Sequence, residues 1–280
     1  MELDKLKGLL TESRNPRSAH IDTCSTQEIV RIINEEDKTV AEAVARETDQ
    51  IALLIDAAAH AIRNGGRLIY IGAGTSGRLG VLDAAECRPT YGVDDNTVVG
   101  LIACGRGAMF SAVEGAEDSL TLAEEELRAI DFCSRDVLVG LAASGRTPYV
   151  IGGLRYARSI GAVTGSIACT SGAEISALAD IPIEVLTGPE VVTGSTRMKA
   201  GTAQKMVLNM LSTGTMIRLG KVMGNLMVDV QATNDKLKAR AVRIVMEAAE
   251  VDKGTAEAAL QQNGGSAKKA ILSLLEESRT

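Results

Sequence analysis

Five short apolar runs lie in the middle of the chain and alternate with stretches of helical spacing. Each run is nearly free of polar residues, which is typical of strands buried on both faces of a parallel sheet. Since parallel strands need crossover connections, the pattern predicts an α/β fold. We expect a doubly wound, mostly parallel five-stranded sheet flanked by helices. The predicted strands are 67–73, 97–103, 136–143, 162–168 and 181–186.

Helical spacing dominates on both sides of this region. The stretch 26–63 is predicted to be helical and to stop before Gly65. Residues 200–219 are apolar on most faces, which predicts a helix buried in the core or in a subunit interface. Glycines break the last ~45 residues into three short helices, a pattern similar to a ubiquitin-associated (UBA-like) bundle. The predicted division is an N-terminal arm with helices (1–56), a central α/β domain (57–220) and a C-terminal helical region (221–280).

Composition excludes several functions. The chain has no Trp, two Phe and four Tyr, too few rings for a base-stacking platform, and its net charge of −6 does not suit nucleic acid. Five scattered Cys and two His show no metal-ligand spacing, so we expect no metal site. No apolar run approaches the ~20 residues of a membrane span, and the N-terminus is too charged for a signal peptide. A cytoplasmic protein without a membrane partner is expected.

The strongest motif, IGAGTSGRLG, follows the first predicted strand and opens a helix. Gly74 and Gly77 allow close backbone approach, and Thr75 and Ser76 can cap the helix or donate hydrogen bonds. Free amides at a helix start bind anions. The string also satisfies G-x-G-x-x-G, but a dinucleotide site needs an acidic residue at the end of the second strand, where Ala-Cys-Gly stands. Phosphate binding is therefore favoured over dinucleotide binding.

A second loop repeats the arrangement after the third predicted strand. Ser144, Gly145, Arg146 and Thr147 precede Pro148, which suits the first position of a helix. Capping alone would explain Thr147. It would not explain a second Ser-Gly-Arg at the same edge of the sheet, so a binding role is the stronger interpretation.

A third hydroxyl pair, Ser195 and Thr196, precedes the helix predicted at 200–219. The carboxyl ends of parallel strands share one edge of the sheet, where ligands bind. We therefore expect two or three of these hydroxyl-bearing helix starts to converge there and bind a sugar phosphate.

Four segments together resemble a known family. They are TESRNPRSAHID, IGAGTSGRLGVLDAAECRPTYG, AVEGAEDS and GPEVVTGSTRMKAGTAQK, in that order along the chain. The chain is similar to the N-acetylmuramic acid 6-phosphate etherases of the sugar-isomerase (SIS) superfamily along nearly its whole length. It departs from the family form LDASECPPTFG at Ala85, Arg88 and Tyr91, changes that leave Glu86 in place.

The resemblance implies a carbon–oxygen lyase that cleaves the D-lactyl ether of a phosphorylated amino sugar without a metal or redox cofactor. It also implies that Glu86 and Glu117, 31 positions apart, act as acid and base. From the residues alone, Glu117 could simply complement a helix dipole, and Glu114 is an equal candidate. Asn15 and His20 lie in a signature segment that we expect to cover the site.

Two other functions remain open at this stage. A non-catalytic sugar-phosphate sensor, similar to the glucokinase regulatory protein, would keep the hydroxyl loops without needing two carboxyls. A ketose–aldose isomerase of the same superfamily would need a Glu base but would lack the VEGAED string. We expect a homodimer or a larger assembly, because the helix predicted at 200–219 is too apolar to face water and proteins with this domain usually pair.

Overall fold

The computed structural model describes residues 10–111, 113, 115–229 and 235–277. Contacts divide the chain into two compact units. The first consists of the described residues up to Ala85 together with Asn96–Gly214, and the second of Glu86–Asp95 together with the described residues from Thr215 onward.

A five-stranded sheet lies at the centre of the first unit. All its pairings are parallel, and the spatial order is β2-β1-β3-β4-β5. The predicted fold class is therefore confirmed, and each predicted strand contains an observed one. The strands are β1 (Leu68–Gly72), β2 (Val98–Ile102), β3 (Val137–Leu141), β4 (Val163–Ala168) and β5 (Ile181–Glu184).

Helices connect and cover these strands. A reciprocal pair of hydrogen bonds between Ser25 and Glu28 caps the first helix. The predicted helical stretch 26–63 is divided in two by Arg46 and Glu47. The α-helices within the described ranges are α1 (Thr26–Ala45), α2 (Thr48–Arg63), α3 (Gly74–Tyr91), α4 (Leu122–Ala129), α5 (Pro148–Ser159), α6 (Lys199–Arg218), α7 (Asp235–Ala249), α8 (Lys253–Gln262) and α9 (Ala267–Glu277).

Packing covers both faces of the sheet, which explains why its strands are apolar throughout. Gly140 lies beside Leu154 of α5, and a Cβ there would lie 3.1 Å from that side chain. Gly140 pairs with Ser166, so the preceding Gly165 points to the opposite face, where a Cβ would meet Leu54 of α2. The sheet is therefore doubly wound.

The second unit has its own apolar core. Helices α7, α8 and α9 confirm the prediction of three short C-terminal helices. The UBA-like shape and the predicted domain boundaries stay predictions. Among the described residues, no helix is both long and apolar enough to span a membrane. The core of the unit is formed by Val228, Ala241, Ile244, Val245, Ala256, Ala259, Leu260, Ala267, Ala270 and Ile271.

Candidate active site

A cavity of about 380 Å³ opens in the first unit, beside the carboxyl ends of β1 and β3. These strands are neighbours in the sheet but are separated in the chain by β2, so the winding direction changes between them. Ligands of doubly wound folds bind at such a position. The cavity is lined by Glu12, Ala73, Gly74, Thr75, Ser76, Glu117, Ala142, Ala143, Ser144, Arg146, Thr147, Gly194 and Thr196.

The first predicted loop forms one wall. Helix α3 begins at Gly74, so Thr75 and Ser76 lie in its first turn and not at the cap position that the sequence suggested. Ser76 is 8% exposed, and its hydroxyl donates a 2.9 Å hydrogen bond to Oε1 of Gln204. Gly77 does not line the cavity. A Cβ at this position would lie 2.4 Å from the carbonyl oxygen of Gly72, so glycine lets the helix start against the strand end.

The second predicted loop forms the facing wall. Gly145 has a φ of +70°, and a Cβ there would lie 2.3 Å from Cβ of Ala173, so its role is to shape the turn. Ser144, Arg146 and Thr147 line the cavity. Thr147 is the N-cap residue of α5, as predicted, but its side chain makes no capping hydrogen bond. Its hydroxyl is therefore available to the cavity.

The third predicted loop differs from the other two. Thr196 lines the cavity, whereas Ser195 does not. The first amides of α6 are not available to an external anion, because the carboxylate of Glu190 accepts a 2.9 Å hydrogen bond from the backbone N–H of Lys199 and another from that of Ala200. Glu190 is 1% exposed. A buried side chain thus already occupies the first backbone amides of α6, and a binding role for Ser195 and Thr196 stays a prediction.

Glu12 is a cavity residue that the sequence analysis missed. It ends a 3-10 turn at Leu10–Glu12. Its segment is held in place by Asn15, whose Nδ2 donates to the carbonyl of Pro189 (3.3 Å), and by Ser18, whose hydroxyl donates to the carbonyl of Val191 (2.7 Å). The signature segment around Asn15, which contains Glu12, was the sequence signal that could have identified this residue. His20, predicted to cover the site, does not line the cavity.

Glu117 lies on the cavity wall, in a 3-10 turn at Ala116–Asp118. Arg78 of α3 contacts the region that follows β2. The guanidinium donates to the carbonyls of Ala108 (2.7 Å) and Met109 (3.0 Å), in the 3-10 helix that follows β2. The cavity thus contains two carboxylates, with the guanidinium of Arg146 on the same wall as Ser144.

Glu86 lies on α3, exposed, in the part of the helix that belongs to the second unit. It is not among the residues that line the cavity. Glu114 lies outside the described residues. The pairing of Glu86 with Glu117 therefore stays a prediction. Among the described residues, no group of three or more His, Cys, Asp or Glu side chains is arranged to hold a metal ion.

The fold and the loop arrangement define an SIS domain. The family model of the glucokinase regulatory protein N-terminal SIS domain matches residues 50–158. A phosphoheptose isomerase from Francisella tularensis superposes with a TM-score of 0.53 at 14% identity, covering 69% of this chain and all of its own. Phosphoheptose isomerase from Neisseria gonorrhoeae gives 0.51 at 18% identity, covering 68% of this chain and 97% of its own.

Proteins with similar sequences identify the family, within this class, to which the chain belongs. N-acetylmuramic acid 6-phosphate etherase from Geobacillus sp. is 58% identical over 96% of this chain and 92% of its own length. The enzyme of the same name from Aeromonas hydrophila is 55% identical over 98% and 94%, and that from Lactobacillus acidophilus is 60% identical over 92% and 85%. The chain belongs to the N-acetylmuramic acid 6-phosphate etherase family, which confirms the resemblance seen in the sequence.

Proposed function

We propose that the chain cleaves the D-lactyl ether of N-acetylmuramic acid 6-phosphate, releasing N-acetylglucosamine 6-phosphate and D-lactate. The supporting observation is the cavity, which brings the hydroxyls of two helix-start loops together with the carboxylate of Glu117. A sugar phosphate needs hydroxyl and amide donors for its anion, and elimination needs a base close to the sugar.

Substrate binding is assigned to the two loops on the facing walls. The hydroxyls of Thr75, Ser76, Ser144 and Thr147 donate to phosphate oxygens, and Arg146 supplies positive charge. Thr196 extends this polar surface. The carboxylate of Glu12 would repel a phosphate, so it suits the other end of the ligand, where it can accept hydrogen bonds from sugar hydroxyls.

In the reaction, the aldehyde of the open-chain sugar activates the hydrogen on carbon 2. Glu117 removes this proton, and the electron pair left behind forms the double bond between carbons 2 and 3. As this double bond forms, the bond from carbon 3 to the lactyl oxygen breaks, and that oxygen takes a proton from Glu86. Water adds across the double bond to give the product sugar. Each positioned acid or base contributes roughly a hundred- to ten-thousand-fold to the rate.

The decisive assay is D-lactate release from N-acetylmuramic acid 6-phosphate. Glu86→Gln and Glu117→Gln should each lower the rate at least about a hundredfold while sugar-phosphate binding persists. Glu125→Gln is the matched control, because Glu125 is exposed on α4 and outside the cavity. The base variant should also stop exchange of the carbon 2 hydrogen with deuterated water. If the Glu86 variant loses exchange and the Glu117 variant keeps it, the two roles are reversed.

Full lactate release by both variants would contradict the two-carboxylate mechanism. A wild-type protein that binds N-acetylglucosamine 6-phosphate but releases no lactate would instead support the non-catalytic sensor, the alternative considered from the sequence.

The proposal also includes a cytoplasmic homodimer. Helix α6 buries Val207, Leu208 and Leu211, as the sequence predicted, yet it leaves Met210 at 38% and Ile217 at 51% exposure. An apolar stripe of this kind suits a second copy of the chain. Sedimentation of a monomer at micromolar concentration would contradict the dimer.

A further inference from the structure

The hydroxyl of Ser76 has a single proton, which its hydrogen bond to Gln204 occupies. Ser76 Oγ donates to Oε1 of Gln204, an α6 residue, at 2.9 Å. In this arrangement the oxygen can offer the cavity only lone pairs. A phosphate dianion carries only acceptors, so it would gain no hydrogen bond from Ser76 and would face repulsion from its lone pairs.

Gln204 is buried with part of its hydrogen-bonding capacity unused. The residue is 1% exposed, and its Nε2 has no hydrogen-bond partner among the described residues. A buried amide nitrogen without a partner is unfavourable, because both of its N–H groups have lost their water. An unpaired carbonyl oxygen is tolerated better. The observed orientation therefore leaves the costlier end of the amide unpaired.

Rotation of the terminal amide by half a turn exchanges its oxygen and nitrogen with little change in shape. Nε2 would then donate to Ser76 Oγ, and the hydroxyl proton would be free to point into the cavity. We propose that Gln204 is a positioning residue: in this second orientation, which pairs the costlier end of its amide, it makes Ser76 a hydrogen-bond donor to the phosphate.

This inference rests on the proposed function, because it assumes that Ser76 binds a phosphate group. Both partners lie in the first unit, and their side chains are almost inaccessible to solvent. Water therefore cannot substitute for the Gln204 amide, and the direction of the Ser76 proton depends on that amide.

The test is a double-mutant cycle with Gln204→Met, Ser76→Ala and the combined variant. Met has a similar length to Gln but cannot donate a hydrogen bond. Calorimetry would measure binding of N-acetylglucosamine 6-phosphate, and thermal unfolding would verify the fold. Gln204→Met should weaken binding about tenfold. In the Ser76→Ala background the same substitution should change affinity less than twofold, because the hydroxyl that Gln204 directs is absent.

A merely structural role for Gln204 would weaken binding equally in both backgrounds, which would overturn the inference. Unchanged binding by Gln204→Met would overturn it as well. If that variant does not fold, Gln204→Leu provides the same cycle. Failure of the proposed function looks different, since the wild-type protein itself would then not bind the phosphorylated sugar.

Discussion

Two helix starts at the same edge of the sheet show how similar loops acquire different roles. At the start of α6, the buried carboxylate of Glu190 occupies the first backbone amides. At the start of α5, Thr147 makes no capping bond with its side chain and lines the cavity. Both loops carry hydroxyl residues just before the helix, so the difference is not in the loops themselves.

The difference lies in the source of the negative charge that stabilises the N-terminal end of each helix. A helix start favours an anion, and an internal carboxylate satisfies α6 during folding. Lys199, the first residue of α6, is likewise paired internally, since its Nζ lies 2.7 Å from Oε2 of Glu36. Among the described residues, no carboxylate accepts a hydrogen bond from the first backbone amides of α5, so an anionic ligand can bind there. We call the start of α6, whose first amides bind Glu190, the closed helix start, and the start of α5 the open helix start. The closed start stabilises the fold, and the open start suits ligand binding.

The largest expected effect comes from closing the open start. Thr147→Glu would place a carboxylate where the phosphate is expected. Two like charges about 4 Å apart repel by ~4 kcal/mol near a protein surface, so affinity for N-acetylglucosamine 6-phosphate should fall at least about a hundredfold. Thr147→Gln has nearly the same size without the charge and should lose much less. Equal losses in the two variants, measured by calorimetry, would show that bulk rather than charge is responsible.

Opening the closed start should affect stability instead. Glu190→Gln keeps the shape but removes the charge that two buried amides share, and should lower the free energy of unfolding by about 1.5–3 kcal/mol. Urea unfolding would measure this. Glu184 is a matched control, because it accepts two 2.9 Å bonds from the amides of Gly172 and Ala173 but is less buried.

Glu184→Gln should therefore cost less stability than Glu190→Gln. If Glu190→Gln weakened ligand binding strongly while stability stayed unchanged, the division between a structural and a binding helix start would be wrong.

A smaller effect on ligand affinity distinguishes Ser144, in the loop before α5, from Ser195, in the loop before α6. Ser144→Ala should weaken sugar-phosphate binding by about 0.5–3 kcal/mol, the range for one hydrogen bond. Ser195→Ala should leave affinity nearly unchanged, because Ser195 does not line the cavity. A loss from Ser195→Ala that matched the loss from Ser144→Ala would restore the third loop as a binding element.

The smallest effect concerns acid stability at the α6 start. Burial opposes ionisation of Glu36, but the hydrogen bond and charge of Lys199, together with Asn15 and Arg17, lower its pKa below the ordinary value of 4.5. The folded state thus holds the proton less tightly than the unfolded state. The stabilisation is present above pH 4.5 and is lost as the pH falls through the lowered pKa.

In Glu36→Gln, unfolding free energy should therefore depend less on pH in this acidic range than in the wild type. An unchanged slope in urea titrations between pH 5 and 3 would exclude Glu36 as a source of acid sensitivity.

The sequence by itself determined the secondary-structure elements. Runs such as 67–73 and 136–143 are apolar because their strands are buried on both faces, and the strands lie within the predicted bounds. The capping pair Ser25 and Glu28 and the Pro148 helix start are equally local signals. The family was recognisable for a related reason, since its motifs are continuous strings.

Only the tertiary structure decided which residues meet. The strand order places β1 beside β3, so two loops almost 70 residues apart face one cavity. The tertiary structure also brings Glu12 to the same cavity from the start of the described chain. It places Glu190 rather than a ligand at the α6 amides. Gln204 reaches Ser76 across 128 positions. These contacts depend on long-range packing, which leaves no periodic or adjacent pattern in the chain for a sequence reading to find.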